Sequence, residues 1–207
     1  MTPLWTVGHS NHTLADFVAL LRSAGVTAVA DVRSAPFSRR QPQFNRDDLR
    51  AGLRAARIAY VFLGGHVGGR PPETACYDAD GHVDYATVRK LPRFQVGLDR
   101  IEAGQVRYTI ALMCGEADPL FCHRGLMIAP ALVARGVVPL HLRRDGTIET
   151  QDQLERRVLA AAGLLDRLEG DLFTPPANAA GRLRLLDEAY RALGKKHGYR
   201  LDEDEVE

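Results

Sequence analysis

The fold class the sequence predicts is α/β: three layers, with a mostly parallel sheet of about five strands, helices on both faces and a C-terminal helical appendage. Two observations predict it. Short runs rich in Val, Ile and Ala alternate with helical runs as far as residue 142, and they are mainly apolar, as strands covered on both faces are. Beyond residue 150 the pattern turns to helices alone. At 207 residues the chain suffices for one well-cored domain. The expected organisation is a core over 1–150, helices packed on it over 151–200 and a disordered acidic tail over 201–207.

The elements follow in order. Leu4 to Val7 is a first strand, closed by Gly8-His9-Ser10-Asn11-His12. Thr13 is an N-cap, Leu14, Phe17, Val18 and Leu21 mark one helical face, and Gly25 is the stop. Val26 to Val32 is a second strand ending in Asp31, with Arg33-Ser34 after it. Past a loop with Pro36 and Pro42, Asn45 caps a helix with Leu49 and Leu53 inside. Tyr60 to Leu63 is a third strand, followed by the glycine run Gly64-Gly65-His66-Val67-Gly68-Gly69, and residues 70–84 form a lid-like excursion. Tyr85 to Ala103 is helical with a break near Pro92, and Arg107 to Met113 is a fourth strand. Asp118-Pro119 opens a helix running to about Ala134, kinked by Pro130 and ended by Gly136. Val137 to Leu142 is a fifth strand, with Pro139 suiting an edge or a strand start, and Arg144 to Thr147 is a turn. Gln151 to Leu168 and Gly181 to Leu193 are helices.

Composition narrows the function classes. No apolar run approaches the ~18 residues of a membrane span, and the N-terminus lacks the basic segment and apolar core of a signal peptide. Three scattered cysteines make no disulfide framework, so a cytoplasmic protein without a membrane partner is expected. The net charge of +1 conceals an asymmetry, because five acids lie in the last six residues and the remainder carries about +6. Residues 33–57 hold seven arginines against Asp47 and Asp48, a segment that could face phosphates or be a solvated helix face.

In open α/β sheets ligands bind beyond the carboxyl ends of the strands. Those ends carry His9 and Ser10, then Asp31 and Arg33, then Gly64 and Gly65, and then Cys114, Glu116, Cys122, His123 and Arg124. Cys122 has a reactive thiol's surroundings, near a helix N-terminus and beside His123 and Arg124; the competing reading is an inert buried cysteine. Asp31 and Glu116 are candidate acid/base groups or anchors for Arg33 and Arg124. Arg124 and Arg33 would hold an anion, or form ion pairs. Gly8 to Ser10 could turn backbone N–H groups toward an anion, while the glycine run meets neither nucleotide fingerprint and a tight turn explains it. Cys114, Cys122 and His123, with His9 or His12, could ligate a metal. C-x7-C-H is no standard zinc spacing, however, and adjacent Cys-His seldom converge on one ion, so neither metal nor cofactor is expected. Cys76 could pair with Cys122 as a redox couple.

Three motifs together resemble the family called domain of unknown function 488. They are Thr6-Val7-Gly8-His9-Ser10, Asp31-Val32-Arg33-Ser34-x-Pro36-x-Ser38, and Met113-Cys114-Gly115-Glu116 with Cys122-His123-Arg124. Tyr60…Leu63-Gly64-Gly65 and His141-Leu142-x-x-Asp145-Gly146 are fainter echoes, the whole spanning roughly Trp5 to Leu159. Gly115 stands where an alanine is common. The resemblance implies an α/β domain with a polar site built from these motifs, and it supplies no substrate.

The expectation is therefore an enzyme of unassigned reaction that binds an anionic small molecule or nucleotide. Its catalytic groups would be Cys122, His123, Glu116 and Asp31; its binding groups would be Arg124, Arg33, His9, Ser10, Cys114, Gly64 and Gly65. The alternatives are a nucleic-acid-binding module using residues 33–57, and a thiol redox or metal-sensing domain.

Overall fold

The computed structural model describes residues 2–170, 172–173 and 175–201. Its centre is a six-stranded sheet of order β3-β2-β4-β1-β5-β6, parallel except for the β5–β6 pair. The strands are β1 (Trp5–Gly8), β2 (Ala28–Asp31), β3 (Ala59–Phe62), β4 (Ile110–Cys114), β5 (Leu140–Leu142) and β6 (Ile148–Thr150). The sixth strand is an addition to the sequence reading. Three residues long, it pairs Ile148, Glu149 and Thr150 with β5 across the turn at Gly146. Pro139 lies just before β5, where a strand can begin without an N–H to donate.

The helices divide between the faces. Helix α1 (Leu14–Ser23) and α2 (Arg46–Ala55) cover one face, where Phe17, Leu21, Leu49 and Leu53 pack on Val7, Val29, Ala111 and Met113. On the other face, Ala28, Ala30, Ile110, Leu112 and Cys114 meet later helices, so β2 and β4 alternate sides as a pleated strand must. Those helices are the short α3 (Gly64–Val67) and α4 (Tyr85–Val88), then α5 (Pro92–Gln105), α6 (Ala129–Val133), α7 (Gln151–Ala161), α8 (Leu165–Glu169) and α9 (Ala179–His197). Leu154, Val158, Leu185, Leu186 and Leu193 join the same apolar cluster, which is how the C-terminal helices attach to the sheet.

Local chemistry sets the boundaries. The Thr13 hydroxyl accepts from the Asp16 N–H at 3.1 Å, a cap worth about 1 kcal/mol. Thr150 and Gln153 form a reciprocal capping box at the start of α7.

Three segments depart from the sequence reading, and in one of them the helix expected over Gln151 to Leu168 divides at Gly163 into α7 and α8. The glycine run opens as helix α3 rather than as a turn, because Val67 and His66 pack against Gly97 of α5. The single kinked helix expected over 118–134 is instead a 3₁₀ turn (Pro119–Phe121), an extended Cys122, a π turn (Arg124–Ile128) and α6. Pro130 has no N–H for the Leu126 carbonyl, and just before it the Ala129 N–H reaches back five residues to Arg124. Cys122 and His123 sit at the start of that widened turn.

The excursion over 70–84 is tied down at its tip. The Val83 N–H donates to the Tyr199 carbonyl and the Leu201 N–H to the Gly81 carbonyl, both at 3.0 Å. No helix among the described residues is long and apolar enough to cross a membrane. The tail over 202–207, expected to be disordered, lies outside the described residues.

Candidate functional site

Strand register lines up the carboxyl ends: Gly8 is level with Cys114, and Asp31 with Met113. A cleft of about 480 Å³ opens beyond them, lined by His9, Arg33, Cys114, Glu116, Cys122 and His123. Ser34, Phe37, Ser38, Gly69, Arg70, Tyr85, Gly115, Phe121 and the segment His197–Arg200 complete its walls.

Four groups converge on its floor. Cys114 Sγ lies 2.9 Å and Cys122 Sγ 3.0 Å from the same oxygen, Glu116 Oε2. His123 Nδ1 is 3.6 Å from Cys114 Sγ and 3.9 Å from Cys122 Sγ. The opposite ring nitrogen, Nε2, lies 2.9 Å from the Val32 carbonyl. A carbonyl only accepts, so Nε2 carries a proton and Nδ1 is the atom presented to the sulfurs. Gly69 lets the chain pass over this ring, since a Cβ there would come within 2.9 Å of it.

Burial opposes the Cys122 thiolate, but a hydrogen bond from Cys114, the Arg124 charge and His123 outweigh it and hold the thiol well below its ordinary value. Cys114 moves up, because it is the donor to that thiolate and is itself buried. Burial and the adjacent Cys122 sulfur raise the Glu116 carboxyl, and the thiolate raises His123 against the effect of burial. The two thiols therefore shift in opposite directions, Cys122 down and Cys114 up.

A second layer fixes the back wall. Arg33 makes a bidentate pair with Asp31 at 2.9 and 2.7 Å, donates to the Phe44 carbonyl at 2.8 Å and reaches His9 Nε2 at 3.2 Å. His9 stacks on Phe44 at 4.2 Å, and its Nδ1–H donates to the Ser10 carbonyl at 2.9 Å. Burial and the Arg33 charge push His9 down to about 4, so it is neutral near pH 7. Tyr60 O–H donates to Asp31 at 2.9 Å.

Of the expected site residues, Cys114, Glu116, Cys122, His123, His9 and Arg33 meet in the cleft. Five stand elsewhere. Asp31 is fully buried beneath Arg33 and belongs to a different network from Glu116. Arg124 is 1% exposed and donates to the Glu116 and Ala117 carbonyls at 2.7 and 2.9 Å, so it braces the loop from behind rather than reaching a ligand. Ser10 and Gly64 to Gly65 are outside the lining; Gly64 packs against the Arg33 carbonyl. The N–H groups of His9 and Ser10 bond the Cys114 and Gly115 carbonyls, each at 2.9 Å, and are not turned to an anion. Gly8 is required there, because a Cβ would collide with the Glu116 carbonyl. Cys76 is buried outside the lining.

The sequence reading missed Arg70, Tyr85, Phe37, Phe121 and His197 to Arg200. The aromatic and basic string Lys195-Lys196-His197-Gly198-Tyr199-Arg200 was the available signal for the last group. Phe121 and His197 meet at 4.9 Å, and Arg70 lies over Tyr199 at 4.4 Å, joining the C-terminal segment to the two facing rims.

Fold and site together define a mostly parallel α/β domain with a sulfur-, carboxyl- and imidazole-floored cleft at the strand ends. The chain belongs to the family described as Domain of unknown function DUF488, whose model matches residues 13–129, more than half its length. The match includes β2 to β4 and the floor residues, while β1, β5 and the C-terminal helices fall outside it. No curated protein and no solved structure matches the chain.

Proposed function

We propose that this chain is an enzyme that binds a phosphate-bearing anion of nucleotide or nucleic-acid type in the strand-end cleft and acts on it with the groups of the cleft floor. The observation that carries this reading is the division of the cleft. Its rim holds Arg70, His197 and Arg200 with the exposed rings of Phe37 and Phe121; its floor holds Cys114, Glu116, Cys122 and His123. Guanidinium groups suit phosphate oxygens, and exposed rings suit a base. In this reading Cys122 supplies the sulfur nucleophile, Glu116 moves the proton, and His123, fixed by the Val32 carbonyl, orients the sulfurs. Arg33, neutralised by Asp31, shapes the wall through His9.

Calorimetric titration with inorganic pyrophosphate and a nucleotide panel tests the rim, and turnover of the same panel tests the floor. Arg70→Ala with Arg200→Ala weakens binding about tenfold or more, and Cys122→Ala removes turnover while binding persists. Binding indifferent to the double substitution, or turnover surviving Cys122→Ala, contradicts the proposal.

A second reading has its own observation. Arg50, Arg54 and Arg57 line an exposed groove beside α2, away from the cleft. Nucleic-acid binding there would weaken steeply with salt and ignore Cys122→Ala.

A further inference from the structure

We infer that Cys114 Sγ, Cys122 Sγ and His123 Nδ1 form a binding site for a thiophilic divalent cation of the zinc type, with Glu116 as an exchangeable fourth ligand facing the cleft. The inference rests on the reading of the floor as the reactive centre and names what that centre holds.

The three ligand atoms lie within 4.8 Å of one another. Tetrahedral bonds of ~2.3 Å to sulfur and ~2.05 Å to nitrogen space the two atom types about 3.6 Å apart. The two sulfur–nitrogen distances are 3.6 and 3.9 Å, so two edges of such a polyhedron are already close to their coordinated length. Glu116 Oε2, at 2.9 and 3.0 Å from the sulfurs, is tighter than the ~3.5 Å that coordination sets. It also falls outside the set of mutually close ligand atoms, so its carboxylate must swing to reach the fourth corner or yield its place to water or an anion.

His123 adds an independent sign. Its Nε2–H is held by the Val32 carbonyl, the outer-shell partner a metal-bound imidazole commonly has, and this leaves Nδ1 to present a lone pair to the cation. The backbone explains how neighbouring residues reach one point. Cys122 is extended (φ −136°, ψ 141°) and His123 helical (φ −57°, ψ −25°), so the junction between the 3₁₀ and π turns aims both side chains at the end of β4.

The donor set selects the metal class. Two sulfurs and an imidazole favour zinc-like ions over magnesium or calcium, which take oxygen. Coordination requires both sulfurs as thiolates, so any thiol proton still on the pair passes to solvent on loading, and the Arg124 guanidinium behind the loop offsets the added negative charge. Asp78, Asp80 and His82 are also close together, but they are at least partly exposed and Lys195 already occupies both carboxylates at 2.8 and 3.3 Å. The two states of the floor exclude each other: with the cation bound, Cys122 is a ligand, and the Glu116 position is where an anion from the rim would meet the metal.

The test uses the full chain, purified without chelators, with elemental analysis and then stripping and titration with Co²⁺. The expected result is one zinc per chain and, with cobalt, a sulfur-to-metal charge-transfer band with intense tetrahedral d–d bands. Cys122→Ser and Cys114→Ser, checked for folding by circular dichroism, lose the ion and the charge-transfer band. Arg70→Ala retains both, which separates loss of the metal from loss of anion binding at the rim. The inference is overturned if the wild-type chain binds no ion stoichiometrically, if cobalt binds without sulfur charge transfer, or if both serine variants keep the ion.

Discussion

Two polar clusters grow from the same loop and differ in how their charges are matched. Around Asp118, the Arg143 and Arg157 guanidinium groups each place two nitrogens on the carboxylate at 2.6 to 3.2 Å, and both also reach Glu149. Two cations answer two anions. Two residues earlier, Glu116 faces two thiols, which are further acids, and the nearest guanidinium is spent on backbone carbonyls. The first arrangement closes on itself and fastens β5, β6 and α7 to the loop. The second leaves like groups sharing protons at the edge of a cleft, the arrangement that shifts pKa values at reactive centres. Charge matched one to one within the protein marks a joint; the floor instead gathers three acidic groups around the single Arg124 charge behind them.

Substitutions separate the two most sharply. Asp118→Ala leaves two arginines and Glu149 without their bridge, and urea denaturation is expected to show a loss of about 2 kcal/mol. In the metal-stripped chain Cys122→Ser, by contrast, changes stability by less than about 1 kcal/mol, while the substitution removes turnover and sulfur–cobalt charge transfer. Equal effects of the two on folding would erase the contrast between the clusters.

The pH dependence follows from the same difference. The two arginines hold the Asp118 carboxyl well below the usual range, against the opposing effect of burial. Its folded-state pKa is depressed, so its contribution is complete above the unfolded value of ~3.9 and is lost as pH falls below it. The gap in stability between wild type and Asp118→Ala should therefore narrow as acid is added below pH ~4. His141 adds an effect at milder pH. Burial pushes it down to about 4, where it accepts or donates only to Thr6 and Gln151. Unfolding lets it take up a proton between pH 4 and ~6.5, so stability falls across that window as pH is lowered, by up to about 3 kcal/mol. His141→Gln reduces this slope in denaturation curves taken from pH 7 to 4, and the part due to His9, also held at about 4, remains.

The smallest expected effect is at the rim. Phe121→Ala removes the ring that meets His197, with about a three- to tenfold loss in nucleotide affinity and almost none for pyrophosphate, measured by calorimetry. Equal losses for the two ligands would remove the base-stacking role from this wall.

The floor was legible in the sequence because its members are local: Cys114 ends an apolar strand and Cys122-His123 return to it within nine residues. The sheet was legible for the same reason, since Val26 to Ala30 and Ile110 to Met113 are short runs dominated by apolar residues. Long-range pairing hid the rest. His197 to Arg200 reach the cleft only because α9 carries them back to the excursion, a contact over a hundred residues in separation. Strand β6 is three residues long and runs straight into the α7 cap, too short to show a period. Arg124 looked like an anion binder by its charge alone; burial decided otherwise. Cys122 and His123 looked too close in sequence to share a ligand, and the change of backbone conformation between them makes it possible.

The central claim is that Cys122 forms the reactive floor of an anion-binding cleft. Limited alkylation of the metal-stripped chain with iodoacetamide, mapped by mass spectrometry with and without pyrophosphate, tests it directly. Cys122 lines the cleft with its thiol held down, whereas Cys76 is outside it with its thiol pushed up by burial. The account predicts that Cys122 reacts at least about tenfold faster than Cys76 and that pyrophosphate slows it. Equal labelling of the two, or labelling of Cys122 indifferent to the anion, would contradict it.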